Sequence, residues 1–243
     1  MLEKGLIETI RESEYTVVLS GQGMVCESGY PALRDDEESY EIEEKYGYSV
    51  EELYSSAIFN TRTDLFYHFF REVLLEQVMT IEPGPAFQYL AEMQQSGMVD
   101  TIITRRIFEL SERAGCTNVI NLHGSIFDYK CPHCGRKYSM DDIMHSKKNI
   151  PVCPDCNVAI RPDIVLLGEM VDNALMTKAA EEVEKADVLL VLGARMNSTL
   201  VSMMTPYYKG NKLIVITPDE HFSEYDANMV IHSSIADGLK QFL

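Results

Sequence analysis

Tyr15-Thr16-Val17-Val18-Leu19-Ser20-Gly21-Gln22-Gly23 is a short apolar run that stops at two glycines. Its residues show no polar alternation, the pattern of a strand covered on both faces. Glycines directly after such a strand let the backbone approach a pyrophosphate, while the following helix N-terminus supplies N–H donors. A G-x-G turn alone is weak evidence, so the rest of the chain has to decide. Five further apolar runs read as strands, at 101–104, 118–122, 163–167, 187–192 and 212–217. Helical stretches at 85–95, 173–185 and 198–207 lie between them, and Leu2, Leu6, Ile7 and Ile10 precede the first strand at helical spacing. Strand and helix alternating in this way predict an α/β fold, a Rossmann-like doubly wound parallel sheet.

The 243 residues suffice for one large core, or for a main domain and a small accessory one. A hydrophobic content of 46% with 24% charged residues is ordinary for a packed globular chain. The net charge of −17 argues against nucleic acid, because a phosphate-binding protein needs a basic stripe and none is visible. The same charge argues against anionic membrane surfaces. No stretch has the apolar length of a membrane span, and Met1–Glu14 is a charged amphipathic segment rather than a signal peptide. The expectation is a cytoplasmic protein whose six cysteines form no disulfide framework.

Two segments interrupt the alternation. Residues 35–79 open with an acidic run, 35–52, in which Lys45 is the single basic residue, and continue as an aromatic-rich helical stretch. The acidic run reads as a solvated face, with a mobile lid as the alternative. Residues 130–157 hold Cys131-Pro-His-Cys134 and Cys153-Pro-Asp-Cys156, two C-x-x-C pairs eighteen residues apart. Each pair closes a tight turn that aims two thiolates at one point, and four thiolates suit a tetrahedral zinc ion. With no coordination position left for water, the zinc is structural. His133 and His145 then stay outside the shell, and Cys26 and Cys116 are unliganded. The expected boundaries are 1–34, 80–129 and 158–243 for the nucleotide-binding domain, and 35–79 with 130–157 for the small domain.

Beyond β-strand one the chain reads Gly21-Gln-Gly-Met-Val-Cys-Glu-Ser28-Gly29-Tyr-Pro31-Ala-Leu-Arg34. This resembles the sirtuin family, whose members carry G-A-G-I-S-x-x-S-G-I-P-D-F-R. Gly21, Gly23, Ser28, Gly29, Pro31 and Arg34 match. The resemblance continues at Leu122-His123-Gly124, the cysteine pairs, Arg161-Pro162, Gly168-Glu169 and Gly193. It implies an NAD-dependent protein lysine deacylase with a structural zinc. Such an enzyme takes an acylated lysine of a protein substrate and transfers the acyl group to ADP-ribose with release of nicotinamide. His123 matches the family histidine that acts as general base on a ribose hydroxyl, a task suited to imidazole.

Departures from the pattern fall in the NAD pocket. Where family members carry T-Q-N-I-D, this chain has Thr104-Arg105-Arg106-Ile107-Phe108, so a carboxylate that would accept from the carboxamide becomes a phenyl ring. The segment P-D-F-R becomes Pro31-Ala32-Leu33-Arg34, and G-T-S becomes Gly193-Ala194-Arg195. Each lost hydrogen bond to a buried ligand group costs about 1–3 kcal/mol. Arg105, Arg106 and Arg195 are candidates for replacement contacts, since guanidinium groups hold phosphates in a bidentate fashion; they suit NAD, NADP or an ADP-ribose-like nucleotide. Pairing with the acidic 35–52 segment is the other use for them. The candidate nucleotide-binding residues are Gly21, Gln22, Gly23 and Gly193 with Arg34, Arg105, Arg106 and Arg195. Sirtuins selective for acidic acyl groups use Tyr and Arg three residues apart; here Tyr67 and Arg71 are offset by one, against such a preference. Two other functions stay open on the same scaffold. One is mono-ADP-ribosyl transfer or NAD hydrolysis; the other is a degenerate sirtuin that binds an ADP-ribose-like nucleotide as a sensor.

Overall fold

The computed structural model describes residues 8–30 and 37–243. The candidate Arg34, with Pro31, Ala32 and Leu33, lies outside the described residues. The chain divides into two compact units, one of Met1–Tyr30, Glu82–Leu122 and Asp172–Leu243, the other of Pro31–Ile81 and His123–Val171. Among the described residues nine strands run in chain order: β1 Thr16–Ser20, β2 Thr101–Thr104, β3 Val119–Asn121, β4 Gly124–Lys130, β5 Lys137–Ser139, β6 Arg161–Ile164, β7 Val188–Leu192, β8 Lys212–Thr217 and β9 Met229–His232.

The first unit is a six-stranded sheet in the order β3-β2-β1-β7-β8-β9, parallel throughout. All five residues of β1 and of β7 are buried, which explains their unbroken apolar sequence. Connections leave β1 toward β2 on one side, while β7 and its successors lie on the other. The carboxyl ends of β1 and β7 therefore form a topological switch point, where ligands of such sheets bind. Helix Pro85–Gln95 starts with Pro at its first position behind Gly84 and buries Phe87, Leu90 and Met93. It is joined to the turn region because Gly84 N–H donates to Ser28 Oγ at 3.1 Å. Glu27 accepts from the first amides of helix Ile235–Lys240, Ile235 N–H at 2.5 Å and Ala236 N–H at 3.1 Å.

The second unit has a three-stranded antiparallel sheet, β5-β4-β6, and a run of short helices from Glu37 to Thr80. Helix Thr63–Phe69 passes into a π-helical stretch, Phe70–Leu75, before the α-helix Glu76–Thr80 resumes. Its core is aromatic: Phe66 and Phe70 stack at 5.1 Å, and Tyr129 meets Phe70 edge-on at 6.4 Å.

Two expectations need correction. The run 163–167 does not join the parallel sheet; it contributes to β6, which pairs antiparallel with β4. Its apolar content reflects burial in the small unit. The sixth strand of the large sheet is β9, whose residues are only partly buried and so carry no continuous apolar signal.

Candidate functional site

Two glycines after β1 owe their identity to packing against Gly193, the residue after β7. A Cβ on Gly21 would come within 2.4 Å of Gly193 O, and one on Gly23 within 2.8 Å of Gly193 Cα. Gly193 itself has φ 59 and lacks room for a side chain, since a Cβ there would meet Met24 N at 2.7 Å. The amides of Gly21 and Gly23 are committed to this contact: they donate to Leu192 O and Gly193 O, each at 2.8 Å. The next amides are different. Gln22 and Met24 N–H have no protein acceptor among the described residues. The turn therefore presents main-chain donors from alternate residues, while the glycines between them hold the two strand ends together.

Arg106 is half-buried and donates through Nη1 to Gln22 Oε1, so this guanidinium orients the side chain of the turn. Arg105 is also half-buried, whereas Arg195 is exposed and forms no ion pair among the described residues. Phe108 is buried and packs its ring 4.5 Å from that of Tyr30. Under the turn, Ser20, Thr104, Arg106, Phe108, Glu112 and Asn121 border a small space of about 10 Å³, room for one water. Asn121 Nδ2 donates to Glu112 Oε1. Burial raises the Glu112 carboxyl above its ordinary range, against the opposing pull of that hydrogen bond. Glu112 and Asn121 carried no signal in the sequence: each is a polar residue on a short element, and only the tertiary fold makes it half-buried.

His123 opens the second unit, half-buried immediately before β4. Its carbonyl accepts from Val165 N–H at 3.0 Å, just beyond β6. The following residue must be glycine. Gly124 has φ 76, and a Cβ there would lie 2.0 Å from Asp163 O. The motif Leu122-His123-Gly124 thus has a physical basis: the main chain after the histidine is pressed onto β6, which fixes where the imidazole begins. Glu169 is tied in the same unit, accepting from Arg161 Nη2 and, at 2.9 Å, from Leu166 N–H. Tyr67 is buried with its hydroxyl donated to Ile160 O, and Arg71 donates to the carbonyls of Lys148 and Asn149 at 3.2 Å.

The four cysteines converge. The sulfurs of Cys131, Cys134, Cys153 and Cys156 all lie within 4.8 Å of one another, and Cys134 Sγ is 3.8 Å from Cys153 Sγ. A tetrahedron with Zn–S bonds of ~2.3 Å has S···S edges of about 3.8 Å, so the donor set fits zinc. The two knuckles are built alike. Gly135 N–H donates to Cys131 O at 2.9 Å, and Asn157 N–H to Cys153 O at 2.8 Å. Both donors are left-handed, with φ 73 and φ 53. Arg136 pairs with Asp155 across the knuckles. The Tyr138 hydroxyl beside Cys153 draws that thiol down, while the neighbouring cysteine sulfurs push Cys156 up, as close sulfurs sharing one negative charge do.

Residues 21–199 match the model of the Sir2 family. The chain is 32% identical over 232 residues to the NAD-dependent protein deacetylase of Clostridium tetani, covering 96% of this chain and 93% of that one. It is 30% identical over 235 residues to the NAD-dependent protein deacetylase of Clostridium acetobutylicum, covering 97% and 95%. Among solved structures, Sir2 in complex with an inhibitor, 2'-O-acetyl-ADP-ribose and a deacetylated p53 peptide is similar with a TM-score of 0.80 and 26% identity, over 98% of this chain and 96% of that one.

Proposed function

The chain belongs to the Sir2 family, and from that premise we propose that it is an NAD-dependent protein lysine deacylase that moves the acyl group onto ADP-ribose. Support comes from relatives named NAD-dependent protein deacetylases that match nearly the whole chain, and from a similar structure in complex with a deacetylated peptide and 2'-O-acetyl-ADP-ribose. The single observation that carries the reading to this molecule is the build of His123, whose backbone is clamped onto β6 by a glycine that no other residue can replace.

NAD, when bound, supplies an anomeric carbon that an acyl oxygen can attack as nicotinamide leaves. The chain's own residues do the rest. The Gln22 and Met24 amides, with the dipole of the helix behind them, receive the pyrophosphate. Gly21, Gly23 and Gly193 keep the backbone low enough for this approach. Arg106 holds Gln22 in place, and Arg195, exposed after β7, is available for a phosphate or ribose oxygen. His123 takes a proton from a ribose hydroxyl as general base. The cysteine cluster holds zinc and keeps the small sheet folded; it does no chemistry on the substrate.

A direct test compares wild type with His123→Ala on NAD and an acetyl-lysine peptide, followed by mass spectrometry. The variant should lose activity by roughly 10²–10⁴-fold while ADP-ribose still raises its melting temperature. Equal rates for both proteins would remove His123 from the chemistry.

A further inference from the structure

Phe222 and Tyr225 are each 79% exposed, although aromatic rings are among the side chains a fold gains most by covering. They lie on the 3-10 helix Phe222–Asp226 of the first unit, between β8 and β9. Such a helix has three residues per turn, so positions 222 and 225 share one edge and present two rings side by side. The turn beneath them is fixed. Ser223 N–H donates to His221 Nδ1 at 3.2 Å, and His221 N–H donates to Glu224 Oε1 at 3.0 Å. From β9, His232 Nε2 lies 3.3 Å from Glu224 Oε2, and the His221 ring packs 4.2 Å from that of Phe222. Two aromatic side chains are thus held out into solvent on a rigid support.

Charge decides what fits there. Asp219, Glu220 and Asp226 flank the rings in sequence, are exposed, and form no ion pair among the described residues. Residues 213–239 include no Lys or Arg to neutralise them. The negative faces of the rings and the unpaired carboxylates both favour a cation. We propose that this turn docks an arginine-rich segment of a protein partner. A guanidinium lies flat on an aromatic face and still forks to a carboxylate, which an ammonium cannot do. A support already held by His221, Glu224 and His232 has little freedom to lose on binding. A second copy of this chain suits the surface poorly, because each copy brings a net charge of −17 to the encounter. The inference stands apart from the deacylase reading, since it needs neither NAD nor an acylated lysine.

Fluorescence anisotropy of the full chain with a labelled peptide of alternating Arg and Gly, and with its Lys and Glu counterparts, tests the surface. Wild type should bind the Arg peptide more tightly than the Lys peptide and ignore the Glu peptide. Phe222→Ser combined with Tyr225→Ser leaves the net charge unchanged and should weaken the Arg peptide about tenfold. Asp219→Asn, Glu220→Gln and Asp226→Asn together should weaken it too and flatten its dependence on salt. Amide NMR shifts of wild type need no variant: they should move within residues 219–232 as the Arg peptide is added. Shifts confined to other residues overturn the proposal. Equal binding by wild type and the double aromatic variant also overturns it, because a diffuse pull of an acidic chain on any cationic peptide would then suffice. Spermine that displaces the peptide at equal concentration of charge gives the site to a small polyamine instead. Self-association in sedimentation that the aromatic variant abolishes gives it to a second copy; either result overturns the assignment.

Discussion

At Gly124 a single hydrogen in place of a methyl decides whether the histidine before it can be held. The left-handed φ of 76 and the 2.0 Å approach of Asp163 O both exclude a side chain. Gly124→Ala should cost about 1–3 kcal/mol or more in stability, from strained backbone and the displaced strand together. Chemical denaturation of the two proteins measures it, and a change under about 0.5 kcal/mol, the range of neutral surface changes, would show that β4 and β6 are not pressed together. Glu112 gives a second test at this scale. Burial raises its native carboxyl above the ordinary value of 4.5, helped by the charge of Glu109 and opposed by the hydrogen bond from Asn121. The native state then holds the proton more tightly than the unfolded chain. Its contribution is complete below the unfolded value and is lost as pH climbs through the raised native one. As pH rises above the ordinary value of 4.5 the melting temperature of Glu112→Gln should therefore gain on that of wild type. A constant gap over that range would mean the carboxyl titrates normally.

At the scale of elements, the zinc knuckles are two copies of one turn, each closed by a left-handed residue after its second cysteine. Cys134→Ser, or removal of metal by a chelator, should lower the melting temperature by at least about 8 °C, because the ligand set holds a sheet of only three short strands together. Metal analysis should find one zinc per chain in wild type. An unchanged melting temperature after complete metal loss would contradict a structural role. Elements also show what a sequence displays and what it hides. Strands β1, β2, β7 and β8 could be read from their unbroken apolar runs because both their faces are covered. Helices Pro85–Gln95 and Asn173–Lys185 could be read from their periodicity and starts. Strand β9 was hidden because an edge strand is half-exposed, and β6 was misplaced because an apolar run does not say which sheet it serves. The glycine turn, His123 and the cysteines were visible as motifs. Glu112, Asn121 and the free amides of Gln22 and Met24 were not, since their roles come from burial and from which donors the fold already uses.

For the molecule as a whole, the net charge of −17 on 243 residues is a source of self-repulsion. Salt shortens the reach of that repulsion from about 30 Å at 0.01 M to about 8 Å at 0.15 M. The melting temperature should rise by a few degrees over this interval; a fall would show that ion pairs such as Arg136–Asp155 outweigh the repulsion. No helix among the described residues is long and apolar enough to cross a membrane. The functional claim also belongs to this scale, because an activity is a property of the whole chain. One measurement reaches it most directly: a single-turnover reaction of excess protein with NAD and an acetyl-lysine peptide, quenched and quantified for all products. The account predicts nicotinamide, free-lysine peptide and O-acetyl-ADP-ribose in equal amounts. Nicotinamide formed without deacylated peptide, or no product at all while ADP-ribose still binds, would contradict it.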